Sequence, residues 1–263
     1  MKRTHLLLIA WAVAFFAVAV NPGQIGKAMA APIWSDDFES STPGEMPTDW
    51  TYSGNSDIHV DNTVSVSGSQ SVRMYGILGS CWGALIHRPL NVSPPFTVEV
   101  WVRNGAENLS GCHPQRAGLA LFTGPSWTTS PRTLMISSAD GRVLGAPAVQ
   151  SDWPQARVLG PYASNEWMNW RVGYERSDES TIKVSYWIND EYKGADFLPS
   201  YSYEDQLGYL SLMVGEGTVW FDDVVVTPGV APEPSQIPTL SGASAGLLVL
   251  ALFAAGRQLL MRA

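Results

Sequence analysis

The chain has 263 residues, a formal net charge of −8 and 15% charged residues. All 24 acidic residues but only 11 of the 16 basic ones fall in Ala31–Ser235, and a surface that acidic repels phosphate backbones and argues against a nucleic-acid partner. The roughly two hundred residues between the two ends suffice for one β-rich domain with a single core, and ten of the eleven Trp lie there.

Lys2 and Arg3 form a positive start, Leu6–Val20 an apolar run of fifteen residues, and Ala28-Met29-Ala30 places small residues where a signal peptidase reads. Residues 1–30 are therefore expected to be a signal peptide cleaved after Ala30, with an uncleaved anchor as the alternative. Export to an oxidising compartment leads to the expectation that Cys81 and Cys112 pair. The bridge would close a 32-residue loop and contribute roughly 3–4 kcal/mol on the chain-entropy account. A metal site or reactive thiol is the alternative, since His113 adjoins Cys112, but no second Cys/His doublet completes a zinc site.

Along the chain, Ile33–Glu39 reads as a first strand, expected to pair with the last, Val219–Val226. Ser71–Tyr75 alternates with period two, and Phe96–Arg103 does so most clearly. There Phe96, Val98, Val100 and Val102 face one way and Thr97, Glu99, Trp101 and Arg103 the other. Gly118–Phe122 and Thr133–Ile136 are short strands either side of a loop holding Pro125, Trp127 and Pro131. Trp167–Glu175 and Thr181–Asn189 form a hairpin about the polar turn Ser177–Ser180. It sends Trp170, Val172, Tyr174, Ile182, Val184, Tyr186 and Ile188 inward, and Arg171, Lys183, Ser185 and Trp187 outward. Leu207–Val214 is one more strand, and no convincing amphipathic helix interrupts the series. At least eight short strands predict an all-β, two-sheet sandwich over residues 31–227.

The chain closes on a proline-stiffened linker, residues 228–239, an apolar run, residues 240–256, and a basic tail, residues 257–263, with Arg257 and Arg262. The run's seventeen residues, Leu240 to Gly256, are the lower limit for crossing a hydrocarbon core of about 30 Å, and the two Arg would hold the end in the cytoplasm. Pro232-Glu233-Pro234, the run and the tail resemble the PEP-CTERM class of bacterial sorting signals, and Ile237–Ser241 resembles the start of the related IPTLS type. Gly242-Ala243-Ser244 stands where that type has Trp-Gly, which leaves the subclass open. The resemblance implies a transmembrane sorting helix cut by an exosortase-like membrane peptidase. It also implies transient anchoring in the inner membrane of a Gram-negative bacterium and release to the cell surface or extracellular matrix. A permanent anchor is the alternative.

The middle of the chain resembles the concanavalin A-like (laminin G-like) jelly-roll family. The residues that carry this are Asp36–Glu39 with Pro47–Trp50, Glu166–Val172 leading to Val184–Asn189, and the closing Phe221–Val224. The galactose-binding-like sandwich shares similar end motifs. Hydrolases of this sandwich resemble one another in a Glu-x-Asp-x-x-Glu strand motif, which sets two carboxyls on one face for retaining chemistry. No stretch here matches it, nor does any G-x-S-x-G, H-E-x-x-H or P-loop appear, so the expectation is a non-enzymatic protein. A glycosidase or lyase with a non-standard site, or a protein–protein adhesion module, is the alternative.

Trp101 and Trp187, accompanied by Glu99, Arg103, Arg171 and Lys183 on the polar side of their strands, would suit a shallow groove for surface polysaccharide. A ring gives a sugar its flat apolar platform, and fixed charges give it hydrogen-bond partners. The opposing reading has a loop such as Pro125–Pro131 cover both rings as a second small core. Asp36, Asp37, Asp222 and Asp223 would meet if the end strands pair, a set of oxygens suited to Ca2+. Against it, only one Asp of each adjacent pair can face a given side.

Overall fold

The computed structural model describes residues 31–77, 79, 83–107, 116–122, 124, 131–138, 140–147, 156–199, 208–231 and 233. Residues 1–30, expected to be a signal peptide, and Cys81, Cys112, Pro232, Pro234 and the apolar tail lie outside the described residues.

Fifteen strands occur among the described residues. They are β1 (Trp34–Asp36), β2 (Thr51–Gly54), β3 (Asp57–Asp61), β4 (Ser71–Gly76), β5 (Ala84–Pro89), β6 (Phe96–Asn104), β7 (Ala117–Phe122) and β8 (Pro131–Ser137). Then follow β9 (Arg142–Pro147), β10 (Arg157–Pro161), β11 (Trp167–Arg176), β12 (Thr181–Ile188), β13 (Glu191–Pro199), β14 (Tyr209–Val214) and β15 (Gly217–Pro228). One antiparallel sheet has the order β13-β12-β11-β6-β15-β4-β3, with β1 also on β15; the other runs β10-β9-β8-β7-β14-β5-β2. The chain is therefore all-β, two antiparallel sheets face to face, the arrangement of a jelly-roll sandwich.

The alternation read in the sequence sets this packing. Phe96, Val98, Val100, Val102, Trp170, Val172, Tyr174, Val184 and Tyr186 are buried from the first sheet against Ile86, Leu119, Leu121, Met135, Leu210 and Leu212 from the second. The end strands pair as expected, Trp34 opposite Val226 and Asp36 opposite Val224. The first strand is shorter than the expected Ile33–Glu39, because Phe38 takes a left-handed φ of 59° and turns its ring into the core.

Strand β15 changes partner partway. Gly217–Phe221 pair with β4 and Val224–Val226 with β1, on the same edge, while β6 runs along the other edge throughout. A bulge lies at the changeover, between Asp222 and Val225, with Asp223 left-handed at φ 46°.

Candidate functional site

The outward face of the first sheet is the polar one. Register brings Trp167 opposite Arg103, Arg103 opposite Trp220, Trp220 opposite Arg73 and Arg73 opposite His59. One row thus crosses β11, β6, β15, β4 and β3, four inter-strand steps of about 4.8 Å or roughly 19 Å in all. Every member of the row is half-buried.

The Arg103 guanidinium lies over the Trp220 ring, 5.2 Å from its centroid, a cation–π contact. Its buried Nε has no hydrogen-bond partner, and no ion pair to a carboxylate among the described residues holds it. Trp220 is fixed from the far side, its Nε1 donating to Asp61 Oδ2 at 2.8 Å. Burial would raise the Asp61 carboxyl, but hydrogen bonds from Thr63 and Trp220 outweigh it and hold the group below its usual range. Arg73 pairs with Asp57 at 3.2 Å, and His59 reaches the same carboxylate at 3.0 Å.

The six residues expected on this face are all found there, in differing states. Trp101 is half-buried between Asn169 and Asp222, one row along from Arg103. Glu99 and Arg171 are bound to each other at 2.8 Å, with Asp190 also on Arg171 at 2.7 Å. Burial lowers the Arg171 basicity, but Glu99 and Asp190 more than restore it. Trp187 is only 3% exposed. Tyr192 packs on it at 5.5 Å between ring centroids, and Val230 converges with it over Gly173. Lys183 is held by Glu175 at 3.1 Å and Glu233 at 2.5 Å. The cover over Trp187 thus includes the chain's own residues after β15. Trp167, Trp220, Arg73 and His59 were not singled out as site residues from sequence. Outward alternation marks each, but only strand pairing lines them up.

The four Asp residues considered for calcium act as hydrogen-bond acceptors. Asp36 takes the Phe38 amide at 2.9 Å and the Trp50 indole at 2.8 Å, and Asp37 takes the Glu39 amide at 3.2 Å. Asp222 takes the Val66 amide at 2.8 Å and Asp223 the Ser67 hydroxyl at 3.0 Å. Among the described residues no group of three or more His, Cys, Asp or Glu is placed to hold a metal ion. Nearby, Arg88 stacks 3.8 Å over the Trp34 ring beside a cleft of about 190 Å³ that Leu90, Asn91 and Val226 also line.

The outward face of the second sheet is apolar instead. Leu85, Ala120, Phe122, Leu134, Ile136 and Met213 form a second, smaller cluster. His87 is buried beside it, packed edge-on against Tyr209 at 5.8 Å, and burial depresses its basicity.

The fold is that of an antiparallel jelly-roll sandwich, and solved structures similar to the chain are known. The chain is similar to a carbohydrate esterase, vb_24B_21 of the Shiga toxin-encoding bacteriophage phi24B, with a TM-score of 0.53 and 11% identity over 76% of this chain and 100% of that one. It is also similar to the cellulose-induced protein Cip1, with a TM-score of 0.49 and 17% identity over 75% of this chain and 100% of that one. A third likeness is to the CBM22-1 xylan-binding domain of Paenibacillus barcinonensis Xyn10C, with a TM-score of 0.40 and 13% identity over 77% of this chain and 98% of that domain. At 11% identity the likeness to the esterase is one of fold alone. No protein-family model matches the chain, and no curated protein matches it.

Proposed function

We propose that this is an exported, non-enzymatic sandwich protein that binds polysaccharide along the outward face of its first sheet. The observation that carries the reading is Arg103, stacked on Trp220 and opposite Trp167 in the cross-strand row, with donors that no carboxylate among the described residues engages. Two indoles flanking a fixed fork of N–H donors offer a saccharide both apolar ring contact and hydrogen bonds. Because the row runs across five strands, it fits a chain of sugars better than a single ring. A neighbour of the fold that is described as a carbohydrate esterase is consistent with a saccharide ligand. Export and a processed C-terminal tail complete the reading, on the strength of the sequence at each end.

The test is affinity for a panel of neutral and acidic polysaccharides, by calorimetry and by retardation in polysaccharide-containing gels. Trp220→Ala and Arg103→Ala are each expected to weaken binding by about tenfold or more, with the melting temperature recorded alongside. Wild-type protein that binds no saccharide, or a Trp220→Ala variant that binds as tightly as wild type, would overturn the reading.

A further inference from the structure

We propose that the same outward face holds a second seat, for the carboxylate of an acidic sugar, and that the chain's own Glu233 fills it. This rests on the reading of the face as a saccharide platform and adds a ligand class and a mode of control.

The seat is built by two strands. Lys183 and Ser185 stand on β12 at alternate positions, and Tyr192 stands on the neighbouring β13. Glu233 Oε1 lies 2.5 Å from Lys183 Nζ and accepts from Ser185 Oγ at 3.5 Å, and the Tyr192 hydroxyl provides a third hydrogen bond. Ser185 is 1% exposed, so its hydroxyl is available only to whatever occupies this position. Lys183 does not depend on Glu233 for its placement. Glu175 pairs with it directly across from β11 and holds the ammonium at 3.1 Å.

Next to the seat is an apolar floor. Gly173 is the residue opposite Ser185, and its missing side chain leaves room over the sheet. A Cβ there would stand 2.6 Å from Val230 Cγ1 and 3.1 Å from Trp187 Cζ3, so the valine and the indole meet in that space. The segment reaches this point by two hydrogen bonds, Thr97 Oγ1 donating to the Gly229 carbonyl at 2.8 Å and the Gly229 amide donating to the Pro95 carbonyl at 2.8 Å. Val230 and Glu233 thus present to the sheet an apolar contact over an aromatic ring and a carboxylate on a cation. A uronic acid residue presents the same two features, a ring face and a carboxylate. The last described residues of the chain occupy the position such a ligand would take, and the ligand must displace them to enter.

The test uses the full-length chain with hexagalacturonate as the acidic probe and xylohexaose as the neutral one. Glu233→Gln keeps the shape of the side chain and removes its charge, and is expected to bind hexagalacturonate at least tenfold more tightly than wild type. Gly173→Ala crowds Val230 out of its place and is expected to give a gain in the same direction. Adding Lys183→Met to Glu233→Gln is expected to abolish the gain. In wild type, saturation with hexagalacturonate is expected to speed hydrogen exchange of the backbone amides in residues 227–233. A Glu233→Gln variant no tighter than wild type, a gain that survives Lys183→Met, or unchanged exchange at saturation would each overturn the proposal. Xylohexaose affinity, and its loss in Trp220→Ala, reports on the platform separately, so failure of the seat and failure of the platform are distinguishable.

Discussion

Asp222 is a carboxylate buried at the bulge of β15, and its environment sets it apart from the other acids on this face. Burial raises it to about 6, the Asp223 charge adds to the rise, and the backbone N–H groups of Val66, Asp223 and Ser67 oppose it. Between its ordinary value of 3.8 and about 6, the native chain keeps this proton and the unfolded chain has lost it. Its contribution to stability therefore falls as pH rises through that window. His87 works against this, because burial holds it below its ordinary 6.5 and the stability it contributes is lost as pH falls below that value. A whole-protein pH profile mixes the two, but a comparison with Asp222→Asn isolates the first. The stability of wild type relative to that variant, from urea unfolding, is expected to decline by up to about 3 kcal/mol between about pH 4 and about pH 7. A difference that does not change with pH would show that Asp222 does not titrate there.

At the scale of elements, β15 is the strand on which the first sheet is assembled, and its start is the tightest place. Gly76 at the end of β4 pairs with Gly217, and a Cβ on Gly76 would stand 1.4 Å from the Gly215 carbonyl oxygen. No rotamer relieves a backbone contact of that kind. Gly76→Ala is expected to cost at least about 3 kcal/mol, seen as a lowered melting temperature; an unchanged one would mean that this corner opens easily. The strands with strong period-two alternation, β6, β11 and β12, were legible in the sequence. The six not recognised, β2, β3, β5, β9, β10 and β13, are short or carry Gly, Pro or mixed polarity. Gly145 in β9 is an instance where an apolar pattern breaks for a tertiary reason. A Cβ there would stand 3.0 Å from the Tyr186 ring of the opposite sheet.

At the scale of the whole molecule, the sandwich and its C-terminal segment are one packed unit as far as Glu233. Of the residues read as a proline-stiffened linker, Gly229 is hydrogen-bonded to Pro95 and Thr97, Val230 lies over Gly173 of β11, and Glu233 reaches Lys183 of β12 and Tyr192 of β13. A protease acting at the Pro-Glu-Pro motif therefore meets a glutamate already bound to the domain. Mass spectrometry of the surface-exposed protein is expected to find an N-terminus at Ala31 and a C-terminus near Pro234. Recovery of Arg262 in that fraction would instead indicate a retained anchor.

The sequence by itself determined the all-β class, the inward and outward faces of the strong strands, and the pairing of first strand with last. It did so because side-chain direction alternates with period two whatever the partner strand. The two predicted processing signals are likewise local patterns of charge, apolar length and small residues. Only the tertiary structure decided which outward residues stand together. Trp167, Arg103, Trp220, Arg73 and His59 come from five strands spread over more than one hundred residues, and register alone aligns them. Trp101 and Trp187 look alike in sequence, yet one ring is half-exposed and the other is covered, because a segment more than forty residues downstream lies over Gly173. Facing direction is a property of one strand; exposure depends on everything that packs against it.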